Sequence, residues 1–279
     1  MLKNKLNLRK VATMVACLAV TSMMFLSCSK ENSDNPLDPN NPDNPDVSDI
    51  RLVSYLRIDN SDGVATYNYV YDGQNRLTKV TAAGGANAGV WTVTYPSANI
   101  IRYDNNTNYM KFTKTRGYVT KYEAKISGAE VNQVLEYSGG HLVKTINDVE
   151  GMSVVNTYAW SGDNLSAVEE VMQLPPPLPS MTTRKITFSY TATPNKQGYI
   201  SPWTISHDDG NWICPAYWAG KMSPNLVSSR TQEVFGMSTT TSTYRYEKDT
   251  EDYVTKVYVR EDGGAEKLLY EVHYYDNEL

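Results

Sequence analysis

The residues best suited to chemistry gather between Pro202 and Trp218, in the stretch PWTISHDDGNWICPAYW. Trp203, Trp212, Tyr217 and Trp218 stand there beside His207, Asp208 and Asp209, and three of the chain's five tryptophans fall inside it. Flat aromatic rings stack on the apolar faces of sugars while carboxylates accept hydrogen bonds from the hydroxyls. Trp203, His207, Asp208, Trp212, Tyr217 and Trp218 therefore form the candidate ligand-binding set, with a glycan as the ligand class. Gly and Pro interrupt the stretch, so it reads as a long loop rather than an alternating strand. A second reading has this loop fold over one end of the domain, its tryptophans plugging the interior.

Elsewhere the sequence is poor in chemistry. His141 falls in a hairpin turn and His273 on a strand, neither at metal-ligand spacing, and both are expected at the surface. Cys214, followed by Pro215, is expected to be a small buried residue. The adjacent acids Glu169-Glu170 and Asp208-Asp209 face opposite ways on a strand, which makes neither a ready acid/base couple. Asp104-Asn105-Asn106 and Asp59 to Gly63 miss calcium-loop spacing and read as polar turns. Phosphate-loop, nucleophile-elbow and zinc-helix motifs do not occur. The expectation is no catalytic residue, no metal and no cofactor. A noncatalytic binding or interaction protein fits best; the alternatives are a glycan- or peptide-directed hydrolase with dispersed carboxylates, and a structural envelope component without a ligand.

The N-terminus gives a location. Lys3, Lys5, Arg9 and Lys10 precede an uncharged apolar run from Val11 to Leu26, too short for a transmembrane helix of about 20 residues. The run ends Phe25-Leu26-Ser27-Cys28, which resembles a bacterial lipoprotein signal. That implies a signal peptide over 1–27 and acylation, palmitate included, at Cys28. Residues 28–49 continue as an acidic Pro/Asn/Asp tether, which at about 3.1 Å per residue reaches up to about 60 Å. Its Lys30-Glu31 start with Asp34 resembles an export signal to the outer face of the outer membrane, so the cell surface is favoured over the periplasmic face. The expected membrane contact is the lipid, with a glycan or protein as further partner and a monomer as the state in solution.

Processing also changes the charge. The full chain has 26 basic and 31 acidic residues, a net −5; removing four basic residues with 1–27 leaves 22 against 31, or −9. An acidic chain without a basic block excludes nucleic acid as the main partner. With Cys17 in the signal and Cys28 acylated, Cys214 is the lone mature thiol of the chain's three cysteines.

The elements that must position any site are strands. The chain has 21 tyrosines, and several recur in one pattern. Tyr69-Val-Tyr71-Asp72-Gly73 leads through a polar turn to Leu77, Leu135-Glu-Tyr137-Ser-Gly139 leads to Leu142, and Tyr158-Ala-Trp160-Ser-Gly162 leads to Leu165. Each is an aromatic or apolar pair at i and i+2 on one strand face, a Gly-containing turn, and a leucine opening the return strand. Ile186, Phe188 and Tyr190 alternate with Lys185, Thr187 and Ser189, and no stretch shows a convincing helical period, although Leu165–Leu174 could form one short turn. The expected fold is all-β, a single antiparallel meander over 50–279 with roughly 14–18 strands. So long a sheet curls or closes. Lys79, Lys121, Lys125, Lys185 and Lys256 on the polar faces make the expected product a water-soluble barrel or strongly curled half-barrel.

Tyr-x-Tyr-Asp-Gly-x-x-x-Leu over Tyr69–Leu77 resembles the YD repeat of bacterial secreted β-rich shells. With the signal, the acidic tether and the degenerate hairpins, the chain resembles a Bacteroidota lipoprotein family of unassigned function with a porin-like β fold. The resemblance implies a fold and a location, and no catalytic residue.

Overall fold

Strand alternation dictates the architecture: where every second side chain is apolar, a sheet can bury one face along its whole length. A computed structural model describes residues 51–60, 63–85, 88–115, 118–126, 128–149, 152–196 and 222–275. Its strands are β1 (Val53–Asn60), β2 (Gly63–Tyr71), β3 (Leu77–Ala83), β4 (Gly89–Ser97), β5 (Ile100–Asn105), β6 (Asn108–Thr115), β7 (Tyr118–Ile126) and β8 (Ala129–Ser138). They continue as β9 (His141–Val149), β10 (Met152–Ser161), β11 (Asn164–Gln173), β12 (Met181–Pro194), β13 (Asn225–Val234), β14 (Thr240–Lys248), β15 (Val254–Glu261) and β16 (Lys267–Tyr274). Each pairs antiparallel with its chain neighbours, and β1 pairs with β16, so the 16 strands close into a barrel. The meander expected from the sequence is therefore a closed barrel. The short helical turn expected within Leu165–Leu174 is corrected: Asn164–Gln173 is the strand β11, because Leu165, Val168, Glu170 and Met172 follow strand parity after one slip.

The hairpin repeat has a structural core. Tyr71 donates its hydroxyl to the Val53 carbonyl at 3.2 Å, Tyr95 to Leu77 at 3.0 Å, and Tyr137 to Val119 at 2.8 Å. Trp160 Nε1 does the same to Leu142 at 2.8 Å, and Tyr190, Tyr246 and Tyr274 latch onto Leu165, Val227 and Val254. Each donor sits at the end of an even-numbered strand and each acceptor at the start of the odd-numbered strand before it. The register slips immediately before Tyr71, Tyr137, Trp160 and Tyr190. Such bulges re-aim a side chain, here toward the rim of the barrel. In the third strand pair Lys114 holds the corresponding register, opposite Val119, and is itself buried.

Turn chemistry completes the unit. After Tyr137-Ser138 a two-residue turn is closed by Gly139 and Gly140, both left-handed at φ 60° and 82°. After Tyr71 the loop is longer, and Asp72 Oδ1 accepts from the Gln74 and Arg76 amides while Asn75 takes the left-handed position. Asp249 repeats this with the Glu251 and Tyr253 amides, and Asp252 takes the place of Asn75.

Large side chains point into the interior. Tyr67, Trp91, Tyr103, Phe112, Tyr122 and Tyr270 are buried within one continuous apolar cluster that runs round the barrel. The outer wall is polar: Lys111 and Lys121 flank Glu123 at 3.0 and 2.9 Å, Arg102 pairs with Asp104 at 2.8 Å, and Arg245 with Glu266 at 2.8 Å. Lys79, Lys121, Lys125, Lys185 and Lys256 are all partly or fully exposed. A charge on the lipid face of a membrane barrel costs up to about 2–4 kcal/mol at mid-depth. This wall carries charges that the lipid face of a transmembrane barrel lacks, and the large apolar side chains lie mostly within.

Candidate functional site

The six sequence-derived binding residues, Trp203, His207, Asp208, Trp212, Tyr217 and Trp218, lie outside the described residues, as do Asp209, Cys214 and Cys28. What is described is the base from which the 197–221 segment leaves and to which it returns. The segment links β12 to β13 on the latched rim. Across its base the Asn195 amide donates to the Pro224 carbonyl at 2.7 Å, and Asn195 Nδ2 to the Ser223 carbonyl at 3.3 Å. Ser223 is buried, its Oγ accepting from the Leu165 amide at 3.1 Å and lying 3.0 Å from the Tyr190 hydroxyl. Asn164 donates to Asn225 at 3.0 Å. Lys196 donates to the Glu251 carbonyl at 3.0 Å and lies over the Tyr253 ring. Arg51 then joins Asp249 at 2.7 Å and packs on Tyr253 and Tyr274. Both stems are thus fixed to the strand ends, the arrangement by which a rigid scaffold presents a functional loop.

A second polar feature lies inside the barrel. The inward positions of β8 to β14 carry Gln133, Thr145, Asn147, Asn156, Glu170, Arg230 and Ser242, all buried. Asn156 Nδ2 donates to Thr145 Oγ1 at 3.2 Å, and the same hydroxyl lies 3.3 Å from that of Tyr158. Burial pushes the Tyr158 hydroxyl above the ordinary phenol range. Glu170 accepts from Thr183 Oγ1 at 2.7 Å and, through its other oxygen, from Arg184 at 2.7 Å. Gln133 and Asn147 sit opposite each other on β8 and β9, and neither amide has a hydrogen-bond partner among the described residues. The sequence reading missed this arc. Its signal was parity: Gln133 shares the face of Leu135 and Tyr137, Asn156 that of Tyr158, and Glu170 that of Val168.

The remaining candidates divide. Glu169 faces out and Glu170 in, as adjacency on a strand requires. His273 is exposed, edge-on to Tyr55 at 5.2 Å, with Nε2 3.2 Å from Glu271. His141 is corrected from a surface histidine to a buried one, because the Gly139-Gly140 turn tucks its ring against Trp160 at 4.3 Å, with Nε2 3.2 Å from Asp163. Among the described residues no three His, Cys, Asp or Glu side chains group as metal ligands.

No protein-family model matches the chain, and no curated protein matches it. Solved structures do. A porin-like protein from Bacteroides vulgatus aligns with a TM-score of 0.59 and 14% identity, over 81% of this chain and 99% of that one. A porin-like protein from Bacteroides uniformis aligns with a TM-score of 0.55 and 15% identity, over 79% of this chain and 98% of that one. At this identity the likeness is one of fold: this chain has the 16-strand barrel of a porin-like protein.

Proposed function

We propose that the chain is a lipid-anchored, noncatalytic binding protein of the outer membrane that presents residues 197–221 to a glycan. The carrying observation is the clamped base: Asn195, Lys196, Ser223 and Asn225 tie a tryptophan-rich segment to the rim of a closed barrel. Ordering the stems in advance lowers the entropy lost when a ligand is bound. Support for the location comes from the signal-like sequence ending at Cys28 and from the fold shared with porin-like proteins of Bacteroides. Because the outer wall is charged, attachment by acyl chains at Cys28 is the expected membrane link, and the degenerate YD-type repeat supplies the shell.

A glycan-array screen of the Cys28→Ser chain tests the ligand. Discrete hits that disappear in Trp212→Ala support the reading, and hits that survive it remove the segment from consideration. Protease treatment of intact cells tests the orientation: digestion of the domain places it at the surface, and full protection places it on the periplasmic face.

A further inference from the structure

Among the described residues eight large apolar side chains are well exposed. Val64, Val70, Val90 and Val134 are scattered over the outer wall, an ordinary distribution for a water-facing sheet. The other four gather at one place. Leu178 (58% exposed) lies in the β11–β12 connection and Met181 (37%) at the start of β12, while Phe235 (70%) and Met237 (74%) lie in the β13–β14 turn. These connections are held together by the Phe235 amide, which donates to the Thr183 carbonyl at 2.9 Å. They form a single tip on the rim opposite the latches.

Two further properties distinguish the tip from a protein-docking surface. No Asp, Glu, Lys or Arg occurs from Gln173 to Thr183 or from Val234 to Tyr244. Protein interfaces tolerate a charged rim, whereas charge entering a bilayer is costly. Several backbone donors of the tip are also satisfied or missing. Leu178 donates to the Pro175 carbonyl at 3.1 Å and Met237 to that of Val234 at 3.0 Å, while Pro175, Pro176, Pro177 and Pro179 have no N–H at all. Lipid offers no partner to a free N–H, so each donor satisfied or missing in this way lowers the cost of entering it.

We infer that the tip formed by Leu178, Met181, Phe235 and Met237 inserts into the surface of a lipid bilayer, as a second membrane contact remote from Cys28. The inference uses the proposed acyl anchor only to bring a bilayer near. A tether of about 60 Å exceeds the roughly 30 Å height of strands of this length, so the barrel can turn its far rim to the membrane that anchors it.

The experiment removes the anchor. The Cys28→Ser chain is sedimented with phosphatidylcholine vesicles at low and high salt. The expected result is binding that salt does not weaken and that falls about tenfold or more in Phe235→Ser/Met237→Ser, in keeping with apolar insertion. Val134→Ser, on the outer wall, leaves it unchanged. A chain that stays in the supernatant overturns the inference, as does equal binding by the double variant or light scattering showing that the tip instead pairs two copies. The glycan reading is untouched by any of these outcomes.

Discussion

Tyr137 and Val119 are 18 residues apart and joined by a 2.8 Å hydrogen bond from phenol to carbonyl, across the open end of the β7–β8 hairpin at the barrel rim. The same separation recurs for Tyr71 with Val53, Tyr95 with Leu77 and Trp160 with Leu142. Repeated spacing of this kind closes the barrel rim unit by unit, and at Tyr71, Tyr137 and Trp160 the latch is placed by the bulge before it. Tyr137→Phe keeps the ring and removes the donor, and is expected to cost about 0.5–1.5 kcal/mol by urea denaturation. Paired with Tyr246→Phe on the far side of the rim, the costs should add.

The latches also set an alkaline limit. Burial, with the neighbouring Tyr158 and Tyr118, pushes the Tyr137 hydroxyl well above its ordinary value of 10.0, and burial does the same to Tyr274. A folded-state value above the unfolded one gives stability that is complete below pH 10.0 and lost as the pH climbs toward the folded value. Ionisation of these tyrosines should therefore coincide with unfolding in a pH titration followed by tyrosinate absorbance and circular dichroism. Early, noncooperative ionisation of all 21 tyrosines would contradict the buried latch ring.

An acid limit follows from the turns. Burial opposes ionisation of Asp72, but hydrogen bonds from Arg76 and the Gln74 amide outweigh it and hold the carboxyl below 3.8. A depressed value gives stability present above pH 3.8 and lost as the pH falls through the folded value. Asp72→Asn should lower stability at neutral pH by no more than about 1 kcal/mol, since the group is near the surface, and flatten the acid limb of the stability profile. An unchanged acid limb would assign acid sensitivity to other carboxylates, Glu123 between Lys121 and Lys111 among them.

Much of this fold was legible because its signal is local. The leucine or valine that opens each return strand, Leu77, Val119, Leu142 and Leu165, is the residue whose carbonyl the latch engages. The aromatic at i+2, Tyr71, Tyr137 or Trp160, is the donor. Closure was less legible, since the β1–β16 pairing joins Ile58 to Tyr270 and nothing nearby in sequence records it. His141 was misread for the opposite reason: a turn residue is ordinarily exposed, and here the ring of Trp160, on the next hairpin, packs against it. The interior polar arc was hidden among polar residues that also populate the outer faces, and register alone separates Glu170 from Glu169.

The buried ion pair in that arc should behave as a unit. The side chains of Glu170 and Arg184 are 5% and 11% exposed and meet at 2.7 Å. Arg184→Met strands a buried carboxylate and is expected to cost about 3–5 kcal/mol. Glu170→Met/Arg184→Met, which removes both charges and keeps the volume, should recover most of the loss. Equal destabilisation of the single and double variants, measured by urea midpoint, would show that packing rather than charge governs this wall.

Gln133 and Asn147 make the opposite case. Both are 0% exposed, they face each other across β8 and β9, and neither amide has a partner among the described residues. A buried amide group without a hydrogen bond costs about 1–3 kcal/mol, while an apolar replacement of the same shape removes that cost. Tyr122 and Val154, their neighbours in register, offer an apolar and aromatic surface to pack against. Gln133→Met/Asn147→Leu should therefore raise the urea midpoint and the melting temperature, by about 1–3 kcal/mol in total after repacking losses. The single variants separate the contributions, each expected to be stabilising alone because no bond between the two amides is broken. A loss of stability in the double variant would show that both amides are hydrogen-bonded in solution and that this stretch of the barrel wall is wet.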